Sequence, residues 1–241
     1  MLTVNKPHAL KALNKILSKY YSGISVTEFQ KYAQINKLYA GKIDGDFGLL
    51  SYAALYADLI KPVELQNFTD FIRAEFPKQQ IVLHHSAGWD NARGMFDDWQ
   101  KDGQRAVATA IGITDDGTIV RGYNESFWAH HIGSRNLNNV ALNQQSVAVE
   151  ICNFGCLMKR EGKYFAWPNN YGTKGPGVEI PESKVIKLNY KGFEFYEVYT
   201  DKEIESLEKW ILLMSLRWNI DLTYRHNDMF PNTGQTSARA L

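Results

Sequence analysis

At 241 residues, with 27 Lys and Arg against 26 Asp and Glu, the chain carries a formal charge of +1 at pH 7. That balance gives no long-range field to draw nucleic acid, and no run of basic residues marks such a partner. No stretch approaches the roughly 18 consecutive apolar residues of a membrane span.

MLTVNKPHALKAL sets Pro7 and His8 where a secretory signal would hold an unbroken apolar core. The expectation is a protein made in a cytoplasm without a signal peptide and, if it acts outside, released by another route. The spacing of Leu10, Leu13, Ile16, Leu17 and Tyr20 predicts an amphipathic helix. SVTEFQKYAQI reads as a second helix, capped by Ser25 with Glu28 three residues on. A glycine-rich turn precedes a third, from Leu50 to Ile60. These make a small bundle over residues 1–62, and KPVELQNFTDFIRAEFPKQQ, punctuated by Pro62 and Pro77, reads as a joining helix across 63–78.

Beyond Lys78 the texture changes. QIVLHHS, VATAIGITDD, GTIVRGYN and SVAVEICN are β-rich runs, and Asp116-Gly117 suits a hairpin turn. NARGMFDDWQKDG has helical spacing through Met95, Phe96 and Trp99. The two cysteines, Cys152 and Cys156, make no disulfide scaffold and read as buried free thiols; the alternative, metal thiolates, wants further ligands that are not evident locally. Leu157 to Tyr199, rich in Gly, Pro and aromatics, is too long for a plain connection and reads as a surface excursion that shapes a groove. Thr200 and Glu203 form a capping box ahead of a helix whose Ile204, Leu207, Ile211 and Met214 line one face. The expected fold is α/β, a mixed central β-sheet flanked by helices over residues 79–241, preceded by a small three-helix domain.

Alternation puts Ile81, Leu83 and His85 on one face of the first strand and Val82, His84 and Ser86 on the other. A lone strand-end histidine is more often structural than catalytic. In SVAVEIC, Glu150 shares a face with Ser146 and Ala148. A carboxylate in so apolar a strand is costly unless paired or used, which makes it a candidate general base, with a buried salt bridge equally permitted. His130 and His131 follow in a loop.

Taken together, IVLHHSAG, ITDDGTIVRGY, WAHHIGSRN and QSVAVEICNFG resemble, in order and spacing, the zinc-dependent N-acetylmuramoyl-L-alanine amidases of type 2. That group includes phage endolysins and is similar to peptidoglycan recognition proteins. The resemblance runs roughly from Gln79 to Leu241, and VTEFQKY with IDGDFGLLSYAAL resembles a three-helix peptidoglycan-binding repeat. It implies the type 2 amidase fold, bacterial peptidoglycan as partner, and zinc as cofactor, the metal polarising the scissile carbonyl and lowering the pKa of water. It also implies His84 as the first zinc ligand, Glu150 as the base and His131 in the substrate groove, with His85 packing or hydrogen-bonding behind. In the helical domain Phe29, Asp44 and Phe47 match the wall-binding motif, although the same residues can simply make a turn and fill a small core.

The family's remaining ligands follow the long helix as a histidine and, about ten residues later, a cysteine or aspartate. His226 stands at the first position, and Thr236, a poor zinc ligand, at the second. An alternative alignment sets YRHNDMFPNTGQTSARAL ahead of that loop, so that the last two ligands would follow Leu241 and His226 would be incidental. Thr109 and Ala110 occupy the region where many relatives carry a tyrosine or histidine for the oxyanion. The function implied is hydrolysis of the amide between muramic acid and the L-alanine of the stem peptide. The rival is a wall-binding or virion structural protein that keeps the fold without catalysis. A glycosidase would need paired acids across a cleft, whereas Asp97-Asp98 and Asp115-Asp116 fit a helix surface and a turn.

Overall fold

The computed structural model describes residues 4–103, 106–133, 138–166 and 177–223. In chain order these hold α1 (Pro7–Tyr20), α2 (Val26–Ile35), α3 (Leu49–Leu59), β1 (Val63–Glu64), β2 (Gln80–His85), α4 (Ala92–Lys101), β3 (Ile111–Ile113), β4 (Ile119–Arg121), α5 (Asn139–Gln145), β5 (Ser146–Ile151), β6 (Cys156–Arg160), β7 (Lys163–Ala166), β8 (Val178–Ile180), β9 (Val185–Tyr190), β10 (Phe193–Glu197) and α6 (Asp201–Trp218).

The central sheet runs β1-β4-β3-β5-β2 and is mixed: β3 and β4 are antiparallel, the other pairs parallel. The β3–β4 hairpin turns at Gly117, whose φ of +83° favours glycine. One sheet face, with Ile111, Ile113, Val147, Val149 and Ile151, shares a buried cluster with Leu207, Trp210, Leu213 and Met214 of α6. On the other face α4 closes over Gly112, where an added Cβ would lie 2.9 Å from the Ala92 methyl. The fold is thus α/β, a mixed sheet between helices with a helical unit in front.

The three leading helices belong to the same buried cluster as α6 and the sheet. Glu208 of α6 pairs with Lys15 at 3.0 Å and also with Lys19 of α1. Asn219 ends α6 in the left-handed conformation at φ 57°, and its Oδ1 accepts from the backbone N–H groups of His8 at 3.0 Å and Ala9 at 3.1 Å. The first turn of α1 has no side-chain cap of its own, so the far end of the chain supplies one. Tyr56 of α3 hydrogen-bonds buried Glu125, and Arg121 of β4 reaches both Tyr56 and Glu64. The stretch 63–78, expected to be a joining helix, holds the two-residue strand β1 and then extended chain. Its backbone bonds outward, Leu65 N–H to Arg121 O and Phe76 N–H to Ser126 O, and pairing with the sheet edge displaces helix.

Within the helical unit, Gln30 is fully buried and organises the loop before α3. Its Oε1 accepts from the N–H groups of Asp44 and Gly45, and its Nε2 donates to Asp44 Oδ1 at 3.0 Å and Asp46 O at 3.0 Å. The excursion after Leu157 is a second sheet, antiparallel throughout, in the order β8-β7-β6-β10-β9. It packs Phe154, Leu157, Tyr164, Ala166 and Ile180 into a small core of its own. Among the described residues no helix is long and apolar enough to cross a membrane.

The α6 capping box forms as expected, with Thr200 Oγ1 accepting from Glu203 N–H at 3.1 Å and the Glu203 carboxylate accepting from Thr200 N–H at 2.6 Å. Burial outweighs those hydrogen bonds and pushes the Glu203 carboxyl up to about 7, and its buried Oε1 has no hydrogen-bond partner among the described residues. Because the folded value lies above the unfolded one, the native state keeps a proton that the unfolded chain releases, and stability falls as pH rises from the ordinary glutamate value to about 7. Glu203→Gln removes that fall; thermal melts should show the variant stabilised on the order of 1 kcal/mol at pH 8 and little changed at pH 4. Asn219→Gly preserves the left-handed turn but deletes the borrowed cap, and chemical denaturation should report a loss of about 1 kcal/mol.

Candidate active site

The site is built at the carboxyl end of β2 and β5. Their parallel register places His84 opposite Glu150, and β3 brings Gly112 to the other side of Glu150. Since side chains alternate, His84 and Glu150 project from the same sheet face, away from the cluster shared with α6. His131 arrives from the segment before α5: its Nδ1 is 3.2 Å from His84 Nε2, and the two rings are edge to face.

Two residues that the sequence did not single out hold His131. Ser146, the first residue of β5, places Oγ 2.8 Å from His131 Nε2 while donating to Leu142 O at 2.7 Å. A hydroxyl has one proton to give, so Ser146 accepts from His131 Nε2–H, and His131 Nδ1 is left as a lone pair facing His84. Asn143 is fully buried, and its Oδ1 accepts from the N–H groups of His131 and Ile132, both at 2.8 Å, while its amide donates to Ile132 O and Asn139 O. Behind them Lys78 is buried and donates to Phe127 O at 2.8 Å and Gln144 O at 2.9 Å, joining the chain on either side of the histidine loop. Burial lowers its ammonium to about 7.

Glu150 is 9% exposed, and burial pushes its carboxyl up to about 8. No salt bridge of Glu150 forms among the described residues. His85 points to the opposite face and packs on Gly155, where an added Cβ would lie 3.0 Å from its Cε1. His130 donates its backbone N–H to Ala106 O and sets its ring 5.1 Å from Trp128.

With this geometry in view, the family model described as N-acetylmuramoyl-L-alanine amidase matches residues 75–238. The chain belongs to the N-acetylmuramoyl-L-alanine amidase family. Comparison with curated proteins returns no match. Among solved structures, the chain is similar to the endolysin amidase LysCS from Clostridium intestinale URNW, 17% identical over 66% of this chain and 75% of that one, with a TM-score of 0.38. It is also similar to PGRP-SA of Apis mellifera, 11% identical over 67% and 79% with a TM-score of 0.38, and to wild-type Drosophila PGRP-LB, 14% identical over 68% and 78% with a TM-score of 0.35.

Within the amidase region, then, the structure gathers His84, His131 and Glu150. His226 and Thr236 lie outside the described residues. The residues expected to touch the wall stand apart, in the helical unit, and one of them changes role. Phe29 is fully buried against Tyr21 and Phe47, so it fills the core and is not a contact for ligand. Asp44 is exposed and held by Gln30, which keeps its carboxyl below the usual range, and Phe47 is half-buried. Thr109, at the position of the relatives' oxyanion donor, is buried with its hydroxyl donated to Ile111 O at 2.9 Å. His131, expected in the substrate groove, has both ring nitrogens engaged within the protein.

The donors present suit a zinc site in part. His84 offers an imidazole of the kind that zinc takes as a ligand, at the carboxyl end of β2. Among the described residues, however, no group of three or more His, Cys, Asp or Glu could hold a metal. Ser146→Ala frees His131 Nε2 and its tautomer while leaving the strand intact. Turnover should drop about tenfold to a hundredfold with an unchanged melting temperature, as read by wall hydrolysis alongside thermal denaturation.

Proposed function

We propose that the chain is a zinc-dependent peptidoglycan hydrolase that cuts the amide between the lactyl group of N-acetylmuramic acid and the L-alanine of the stem peptide. The reading rests on one observation: within the family-matched region, a buried carboxylate that forms no ion pair among the described residues stands beside a histidine whose neighbour is held in a single tautomer. His84 would hold the zinc together with His226, and the donor set is completed outside the described residues. The ion would supply Lewis-acid polarisation of the scissile carbonyl and of the attacking water.

The remaining chemistry belongs to this chain's own groups. Glu150, at the carboxylate, takes the proton of the attacking water and returns it to the departing amine of L-alanine. Its burial in β5 limits bulk water around it, which strengthens each electrostatic contact there. His131, fixed by Ser146 and Asn143, orients the His84 ring. Thr109 is spent on Ile111 O, so its hydroxyl is not offered to a developing oxyanion. The helical unit in front, with exposed Asp44 and half-buried Phe47, is proposed to bind the wall.

Glu150→Gln is nearly isosteric and removes a buried acid, so it should fold with stability equal to or above that of the parent while losing at least about a hundredfold in turnover. The readout is release of new L-alanine amino groups from purified peptidoglycan. Unchanged lysis by this variant would falsify the assignment, and new reducing sugar ends in place of amino groups would transfer it to a glycosidase.

A further inference from the structure

Away from the sheet, the N-terminal helices and α6 enclose an open cavity of about 560 Å³. Tyr20, Tyr21 and Tyr32 form its aromatic walls, and Asp58 and Lys209 are its charged points. None of these residues takes part in the His84 site, and all but Lys209 precede residue 75, where the family match begins. The volume lies within the range of small-molecule sites, about 300–1,000 Å³.

The walls are fixed before any ligand arrives. Asp58 Oδ2 accepts hydroxyl protons from Tyr21 at 2.8 Å and Tyr32 at 3.1 Å. Tyr21 stands edge-on to Phe29 at 5.2 Å and to Tyr32 at 5.7 Å. Burial and the Asp58 hydrogen bond keep the Tyr21 phenol protonated. Lys209 is held over the Tyr20 ring at 5.4 Å and paired with Glu205 at 2.7 Å. The cavity therefore offers rigid aromatic surfaces beside a carboxylate acceptor and an ammonium donor, at little ordering cost to a ligand.

That combination selects among ligand classes. An apolar ligand would cover Asp58 and Lys209 and leave them only the partners they already hold, Tyr21, Tyr32 and Lys61 for the carboxylate and Glu205 for the ammonium, and a strongly anionic one would meet Asp58. A pyranose satisfies both demands, laying its C–H face on a ring and giving its hydroxyls to the carboxylate and the ammonium. We propose that this cavity binds a saccharide, one or two sugar units of the wall glycan, as a second contact remote from the cleavage centre. The choice of wall glycan rests on the amidase reading above; the choice of saccharide rests on the cavity. On a polymeric substrate such a contact raises the effective concentration of amide bonds at the His84 site.

The test titrates the full chain with the N-acetylglucosaminyl-N-acetylmuramic acid disaccharide, which lacks a stem peptide, following tyrosine fluorescence and heat. Saturable binding in the millimolar range is expected, weakened about tenfold by Tyr32→Ala and about threefold by Lys209→Met. The same variants should raise KM on whole wall while hydrolysing a soluble muramoyl-peptide at the parental rate, a split that a folding defect does not produce. Lys209→Met keeps the experiment decisive if Tyr32→Ala disturbs the Asp58 hydrogen bonds. Absence of saturation up to about 20 mM disaccharide overturns the proposal. So does binding that both variants leave unchanged, or binding of the stem tripeptide in place of the sugar. Disaccharide binding by a chain that cuts no wall would uphold the saccharide site and remove the amidase reading alone.

Discussion

The pairing of β2 with β5 is the constraint on which the rest of the structure depends. Both strands are strongly apolar, and their parallel register leaves a single way to bury the larger side chains, with Val147, Val149 and Ile151 turned toward α6. Once that face is fixed, the pleat forces His84 and Glu150 onto the other. A slip of one residue would send Glu150 into the α6 core and turn Val149 to the other face, which is why hydrophobic burial on one side of the sheet fixes where this carboxylate sits.

Helix α6 carries a second constraint, since it serves two partners at once. It covers the sheet with Leu207, Trp210, Leu213 and Met214, and it receives α1 through Glu208 and Asn219. The chain's early helices thus close on its late one, and the Tyr56, Arg121 and Glu125 network fastens α3 to β4 as well. This arrangement explains why the tyrosine-lined cavity takes a wall from Lys209 although its other lining residues lie in the first sixty positions. A ligand there feels the packing of α6, and the same helix borders the sheet that carries the site.

Much of this was legible in the sequence, for reasons that differ by residue. The helices were readable because Leu13, Ile16 and Leu17 recur at helical spacing and because Thr200 and Glu203 announce the start of α6. The faces of β2 and β5 followed from alternation alone. Residues 63–78 were misread, because Pro62 and Pro77 frame a stretch long enough for a helix while the backbone finds its hydrogen bonds on the sheet edge. Phe29 was read as a ligand contact because a motif reports spacing and not burial. Asn143 and Ser146 were passed over since an amide or a hydroxyl is unremarkable in a sequence; the worth of Asn143 appears in its hydrogen bonds to the backbone of His131 and Ile132, and that of Ser146 in its contact with the His131 ring. The clue available was position, for Asn143 and Ser146 stand immediately before an apolar strand, where an unpaired polar group would be expensive.

The state of Glu150 shows how these levels combine. Burial raises its carboxyl, and beside it in β3 Gly112 carries no side chain, so that Ala92, Met95 and Phe96 of α4 close over that position. Gly122 makes room for the Phe96 ring in the same manner, an added Cβ lying 2.4 Å from it. Two glycines therefore set how closely α4 packs on the sheet.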